Sequence, residues 1–152
     1  LSRRVYHIQF LNLETGELLN DKLENTTGGG AWANDNKTFF YTTKNKVSLL
    51  SEKIYRHTLG EDHANNELVY HEKDPSFYIG VGKSKSEEYI IIFTGSTLTS
   101  DYHILKADNP NGDFVQLTPR EEGLEYSIDH YEDKFYVVTN LDAKNFRLME
   151  TP

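Results

Sequence analysis

A strand-and-turn pattern returns along this chain at intervals of roughly one blade of a repeat fold, and that recurrence limits the fold more than any other feature. Tyr6, Tyr55, Tyr102 and Phe146 each sit in a short strand-like segment with basic or histidine neighbours, spaced 49, 47 and 44 residues apart. Phe39, Tyr89 and Phe135 each follow a polar turn, at intervals of 50 and 46. Gly16, Gly60 and Gly112 mark the turn after the Tyr strand.

Within each unit the pattern is that of strands. Tyr6, Ile8 and Phe10 alternate with His7 and Gln9, and Tyr126, Ile128 and His130 alternate with Ser127, Asp129 and Tyr131. Such period-two alternation puts successive side chains on opposite faces of a sheet. Tyr89-Ile90-Ile91-Ile92-Phe93 and Phe135-Tyr136-Val137-Val138 are β-branched or aromatic runs, suited to buried strands. Helical periodicity is almost absent. Turn-forming residues separate the runs: Glu14-Thr15-Gly16-Glu17, Asn34-Asp35-Asn36-Lys37, Gly60-Glu61-Asp62 and Asn109-Pro110-Asn111-Gly112. Gly28-Gly29-Gly30 reads as a flexible joint or a tight crossing before Trp32.

About four strands per repeat predicts an all-β chain, a partial β-propeller of about three blades of four-stranded antiparallel sheet. It forms one domain over residues 1–152, with a partial blade at 1–27, blades at 28–74 and 75–121, and a second partial blade at 122–152. Three blades do not close a ring, so the arc is expected to be open and to belong to a longer protein. The opening Leu1-Ser2-Arg3-Arg4 runs straight into alternation, without the apolar core of a signal peptide.

Composition narrows the function. Ten Tyr and eight Phe argue for a packed chain rather than a disordered one. No run approaches the ~20 apolar residues of a membrane helix, so no membrane partner is expected. Without cysteine there is no disulfide, Fe–S cluster, cysteine zinc site or catalytic thiol. This fits the cytoplasmic location expected here, and absent cysteine alone leaves a periplasmic one open. Sixteen Lys and Arg against 24 Asp and Glu leave a formal charge of −8, which makes nucleic acid a poor partner.

Several motifs invite chemistry and are better read as structure. Gly82-Lys83-Ser84 resembles the end of a phosphate loop, but Phe77 stands where the first glycine belongs, and a strand follows instead of a helix. Gly95-Ser96-Thr97 lacks the spacing and the helix of a nucleophile elbow. His7, His57, His63, His71, His103 and His130 show no metal-ligand spacing, so pairing or hydrogen bonding across strands is expected. Glu121, Glu122, Glu125 and Asp129 could do acid–base work, but read more simply as a solvated turn into a strand. Asn25-Thr26-Thr27 and Asn36-Lys37-Thr38 match a glycosylation triplet that arises often by chance. Trp32 is read as core packing.

The order of the pieces adds a resemblance. Trp32-Ala33-Asn34-Asp35 followed by Phe39-Phe40-Tyr41 resembles a blade start in the oligopeptidase B (protease II) branch of the prolyl oligopeptidase family of serine peptidases. The resemblance continues through Ile54-Tyr55-Arg56-His57-Thr58-Leu59-Gly60, Leu68 to Asp74 and Phe77-Tyr78. It is strongest in Glu125-Tyr126-Ser127-Ile128-Asp129-His130-Tyr131, with Phe135-Tyr136 and Lys144-Asn145-Phe146 after it, and spans about Gly28 to Met149.

The resemblance implies a seven-bladed propeller over an α/β-hydrolase domain that carries a Ser-Asp-His triad. The propeller admits short peptides, and cleavage follows Arg or Lys. The matched region lies inside the propeller, so no residue of this sequence is expected to act as nucleophile, base or oxyanion donor, and no catalytic, cofactor or metal residue is named. The implied partners are the hydrolase domain of the same parent chain and, for the parent, short basic peptides. The chain alone is expected to be inactive and to associate with copies of itself through open strand edges. Two other readings stay open: a non-catalytic interaction scaffold and a carbohydrate-binding β domain.

Overall fold

A computed structural model describes residues 4–152 as three antiparallel sheets set side by side. The first has the order β1 (Tyr6–Leu11), β2 (Leu18–Trp32), β3 (Thr38–Lys44), β4 (Ser51–Thr58) and β5 (Glu67–His71). The second has β6 (Tyr78–Lys83), β7 (Tyr89–Gly95), β8 (Ser100–Lys106) and a two-residue β9 (Val115–Gln116). The third has β10 (Tyr126–Tyr131), β11 (Lys134–Thr139) and β12 (Arg147–Thr151). Among the described residues the one helical element is a single 3-10 turn at His63–Asn65. No sheet closes on itself, so the chain is all-β, an open arc of propeller blades.

Short polar side chains shape the turns by satisfying backbone amides locally. The Asn12 side chain accepts from the amides of Glu14 (2.9 Å) and Thr15 (3.2 Å) between β1 and β2. Asp35 accepts from Lys37 (2.9 Å) and Thr38 (2.8 Å) between β2 and β3. Asn45 accepts from Val47 (2.9 Å) and Ser48 (3.0 Å) between β3 and β4.

The strand β2 is 15 residues long because it serves two partners in succession. Its first half pairs with β1, from Leu18 opposite Leu11 to Thr26 opposite Tyr6. Its last residues, Gly30 to Trp32, pair with Tyr41 to Phe39 of β3. The register shifts between Thr26 and Gly30. Gly28 sits there at φ 89°, a left-handed value that favours glycine, and a Cβ on it would lie 3.0 Å from the Tyr6 ring. The divide expected between residues 27 and 28 falls inside this continuous strand.

Facing sheets bury the core between them. Ala31, Ala33 and Phe40 of the first sheet region meet Ile90, Leu105 and Ala107 of the second. Ile54 meets Ile79 and Ile92. Phe40, Ile54, Ile90 and Ile92 have no exposed surface, and each contributes about 1.5–3 kcal/mol from burial. A separate cluster of Phe10, Leu23, Phe39 and Tyr41 holds β1 and β2 onto β3. Trp32 closes that cluster edge-on to Phe10, centroids 5.3 Å apart, and remains 36% exposed. In β6, a Cβ on Gly80 would run into the Phe93 ring of β7, whereas one on Gly82 meets nothing.

Antiparallel pairing sorts the loops onto two ends of the arc. One end holds the turns at 33–37, 84–88 and 132–133 together with those at 12–17, 59–66 and 107–114. Contacts between sheets confirm the grouping: Asn34 donates to Asp108 (2.7 Å) and accepts from Lys83 (2.6 Å), and the Lys85 amide donates to Asp129 (3.0 Å). The other end holds the turns at 45–50, 96–99 and 140–146 with the crossovers 72–77 and 117–125. There the Ser100 amide donates to the Leu124 carbonyl (3.0 Å) and the Gly123 amide to Thr99 Oγ1 (3.1 Å).

Candidate functional site

The motif-bearing residues fall in hairpins. Lys83 ends β6 and donates to Asn34, while the buried Ser84 Oγ accepts from the Tyr89 amide (3.1 Å) across a tight turn. Ser96 lies in the turn after β7, its amide donating to the Thr99 carbonyl (2.8 Å). Asp129 is held by Lys85, and Glu125 lies in a separate shallow hollow beside Ser96 and Phe146. Glu121 and Glu122 are exposed. Asn25, at φ 58°, donates its side-chain amide to the Lys44 carbonyl (2.5 Å). Among the described residues no group of three or more His, Asp or Glu side chains converges as a metal site would.

The histidines divide sharply. His7 and His63 are exposed beside Glu24 and Asp62. His130 is buried, with Nδ1 2.8 Å from Ser86 Oγ and its ring against Tyr89 and Phe135. His57 and Arg120 anchor two buried polar clusters, with His103 beside the second, that the spacing of the sequence does not reveal.

The first cluster lies within the first sheet. His57 on β4 is 1% exposed, with Nε2 2.9 Å from Asp21 Oδ1 and Nδ1 2.7 Å from Asn66 Oδ1. Asn66 donates onward to the Tyr41 hydroxyl (2.8 Å), and the Gly60 amide donates to Asp21 (2.6 Å). Burial alone would raise the Asp21 carboxyl, but hydrogen bonds from Gly60 and His57 outweigh it and hold the group below its ordinary value. Asp21, His57 and Asn66 line a cleft of about 750 Å³ between β2 and the turn after β4.

The second cluster ties the first sheet to the second at the crossover end. Arg120 lies in the segment leading to β10. It donates to Glu72 beyond β5 (2.6 Å), Thr94 on β7 (2.9 Å) and Asp101 on β8 (3.3 Å). Its guanidinium lies 3.9 Å from the centroid of the Phe77 ring. Gln116 satisfies the other oxygen of Asp101 (3.1 Å), and the Tyr70 hydroxyl donates to Glu72 (3.1 Å). The carboxylates are nearly dry, with Glu72 at 7% and Asp101 at 2% side-chain exposure. Burial would raise Glu72, but Arg120 and the Asp74 amide hold it below the ordinary range. Burial and the Glu72 charge raise the Tyr70 hydroxyl. Tyr126, whose hydroxyl has no protein partner, is pushed up to about 12 by burial and then by Asp101. Arg120 also lines a cleft of about 700 Å³ with Asp74, Ser76, Thr97 and Glu122.

Charge separates the two ends. Glu14, Glu17, Asp35, Glu61, Asp62, Glu87, Glu88, Asp108, Asp113, Glu132 and Asp133 are exposed on the hairpin-turn end, against Lys37, Lys85, Lys106 and Lys134. The crossover end is more evenly mixed, with Lys44, Lys46, Lys73, Lys144 and Arg147 among its acids.

An open arc of antiparallel sheets joined by hairpin turns and buried ion clusters defines a propeller segment. The chain belongs to the prolyl oligopeptidase N-terminal β-propeller family, whose sequence model matches residues 1–152. It is 41% identical over 151 residues to dipeptidyl aminopeptidase BI of Pseudoxanthomonas mexicana, covering 99% of this chain and 21% of that protein. It is 34% identical over 149 residues to protease 2 of Moraxella lacunata, covering 97% and 21%. Oligopeptidase B from Leishmania major superposes with a TM-score of 0.90 at 26% identity, covering 98% of this chain and 21% of that one. Oligopeptidase B from Trypanosoma brucei with covalently bound antipain, in a closed form, gives 0.85 at 30%, covering 97% and 21%. The chain therefore spans about a fifth of the length of the relatives it matches.

Proposed function

We propose that this chain is a wall segment of the propeller in a serine oligopeptidase, where it limits the size of peptides that reach a hydrolase domain and packs against that domain. The observation that carries the reading is the near-complete superposition of this chain on oligopeptidase B, of whose whole length it covers only about a fifth. Hydrogen-bonded sheets tied by buried ion clusters make a stiff wall. A stiff wall excludes folded proteins and keeps water from a peptide once it is inside.

The parent enzyme is read as cleaving short peptides after Arg or Lys. The acidic hairpin-turn end supports that preference, since negative potential raises the local concentration of cationic peptides at low salt. The 41% identity to a dipeptidyl aminopeptidase supports a second specificity, removal of dipeptides from an N-terminus. One assay separates them. The native polypeptide that carries this segment is given a short peptide with one internal Arg, and the products are read by mass. A single cut after Arg supports the first reading, and successive release of dipeptides supports the second. No cleavage by a full-length protein removes the peptidase reading.

The open ends of the arc support self-association of the isolated chain. All five residues of β12 are exposed, Leu148 to 68%, and the outer edge of β1 has no strand partner among the described residues. Sedimentation across micromolar concentrations should show a dimer or larger species, and a constant monomeric mass refutes this.

A further inference from the structure

The Arg120 cluster contains one group that the clamp leaves unused. His103 on β8 lies inside it, with Nδ1 buried and without a hydrogen-bond partner. Its ring is 4.8 Å from that of Tyr70 on β5, and the Tyr70 hydroxyl touches both Glu72 and Arg120. The charged groups that face it come from each packed element: Asp101 on its own strand, Glu72 beyond β5, and Arg120 from the crossover. Across the sheet its neighbours are uncharged, Ile92 on β7 and Gln116 on β9.

We propose that His103 and Arg120 form an acid-sensitive latch between the first and second sheets, opened when His103 takes up a proton. The physical basis is a conflict of charge. A second cation beside the Arg120 guanidinium competes for Asp101 and Glu72, which are already committed to Arg120, Gln116 and Tyr70. Relief comes from letting water into the outer part of the space between the sheets, where β9 is only two residues long and covers little of β8.

The direction follows from burial. Desolvation holds His103 below its ordinary value of 6.5, in spite of the two carboxylates. The closed form therefore disfavours the proton more than an open form does. The latch is fully closed above the ordinary value and loses stability as pH falls through it, until the depressed value of the closed form is reached. For a propeller wall the consequence is regulatory: mild acid loosens the joint between two blades without touching a catalytic group.

The test uses the full native polypeptide that carries this segment. Hydrogen–deuterium exchange, corrected for the intrinsic pH effect, is followed at Glu67–His71 and at residues 117–125 between about pH 7.5 and about pH 5.5. The opening equilibrium should rise as pH falls below about 6.5, with a slope of at most about tenfold per pH unit. His103→Gln, which cannot take up the proton, should flatten that slope while leaving exchange in β10 and β11 unchanged. A wild-type slope retained in His103→Gln overturns the proposal, as does a flat wild-type profile. Should His103→Gln fail to fold, NMR titration of the His103 ring in the wild-type protein decides: a value at or above about 6.5 overturns the latch.

Discussion

The two buried histidine clusters use similar groups to opposite effect. In the first sheet, both ring nitrogens of His57 face an oxygen, and the chain of bonds runs on through Asn66 to Tyr41. In the second, His103 leaves Nδ1 without a partner, and the cation that matters is Arg120. The first joins strands of one sheet, while the second joins the first sheet to the second through the crossover that carries Arg120. A polar group in a dry interior stabilises only when its partners are complete, because the unmet group keeps its desolvation cost. The first cluster is complete at its histidine and the second is not, so the joint between sheets is where the fold responds to its surroundings.

The largest expected effect breaks the second cluster. Arg120→Met leaves Glu72 and Asp101 dry and without their cation, and should cost about 3–5 kcal/mol in chemical unfolding. A loss below about 1 kcal/mol would mean that the crossover is not held by this clamp. Asp21→Asn, in the first cluster, keeps the shape and removes one charge. It should cost about 2 kcal/mol, less than Arg120→Met because two hydrogen bonds to one carboxylate are weakened rather than two carboxylates left without a cation.

Acid distinguishes the clusters further. Asp21 and Glu72 are both held below their ordinary values, so each adds stability that is complete above those values, 3.8 and 4.5, and lost as pH falls through the lower folded-state values. His103 adds an earlier loss that begins near 6.5. Unfolding midpoints between about pH 7.5 and about pH 5 should therefore fall in the wild type, and fall less in His103→Gln. The smallest effect is a control at an exposed pair. Lys134→Ala removes its contact with Glu150 (2.9 Å) and should change stability by less than about 0.5 kcal/mol.

Much of the fold was legible along the chain. Tyr126 to Tyr131 alternates as a strand with one buried face, and β10 does so, with Tyr126 and His130 inside and Ser127 and Tyr131 out. The polar runs at Asn34 and Asn109 mark turns because Asn, Asp and Gly satisfy or permit backbone states that other residues resist. The length of β2 was less legible. The three glycines signal a change of course, yet the strand continues through them, because Gly28 absorbs the positive φ while the flanking residues keep their partners. The clusters were not legible at all. Arg120 is 48 residues from Glu72 and 26 from Thr94 in sequence, and nothing local marks it apart from a lone Arg ahead of two glutamates. His57 and His103 recur at similar places in the repeat, and only their surroundings make one paired and the other not.

The sequence by itself determined the strands, the turns and the repeat of about one blade, because each depends on residues within a few positions of one another. It also determined the net charge and the exclusion of cysteine chemistry. Tertiary structure alone decided which carboxylates lose their water, which histidine goes without a partner, and which end of the arc carries the charge. Those properties depend on the register of strands and on the approach of separate sheets, where a shift of one residue exchanges the buried face for the exposed one.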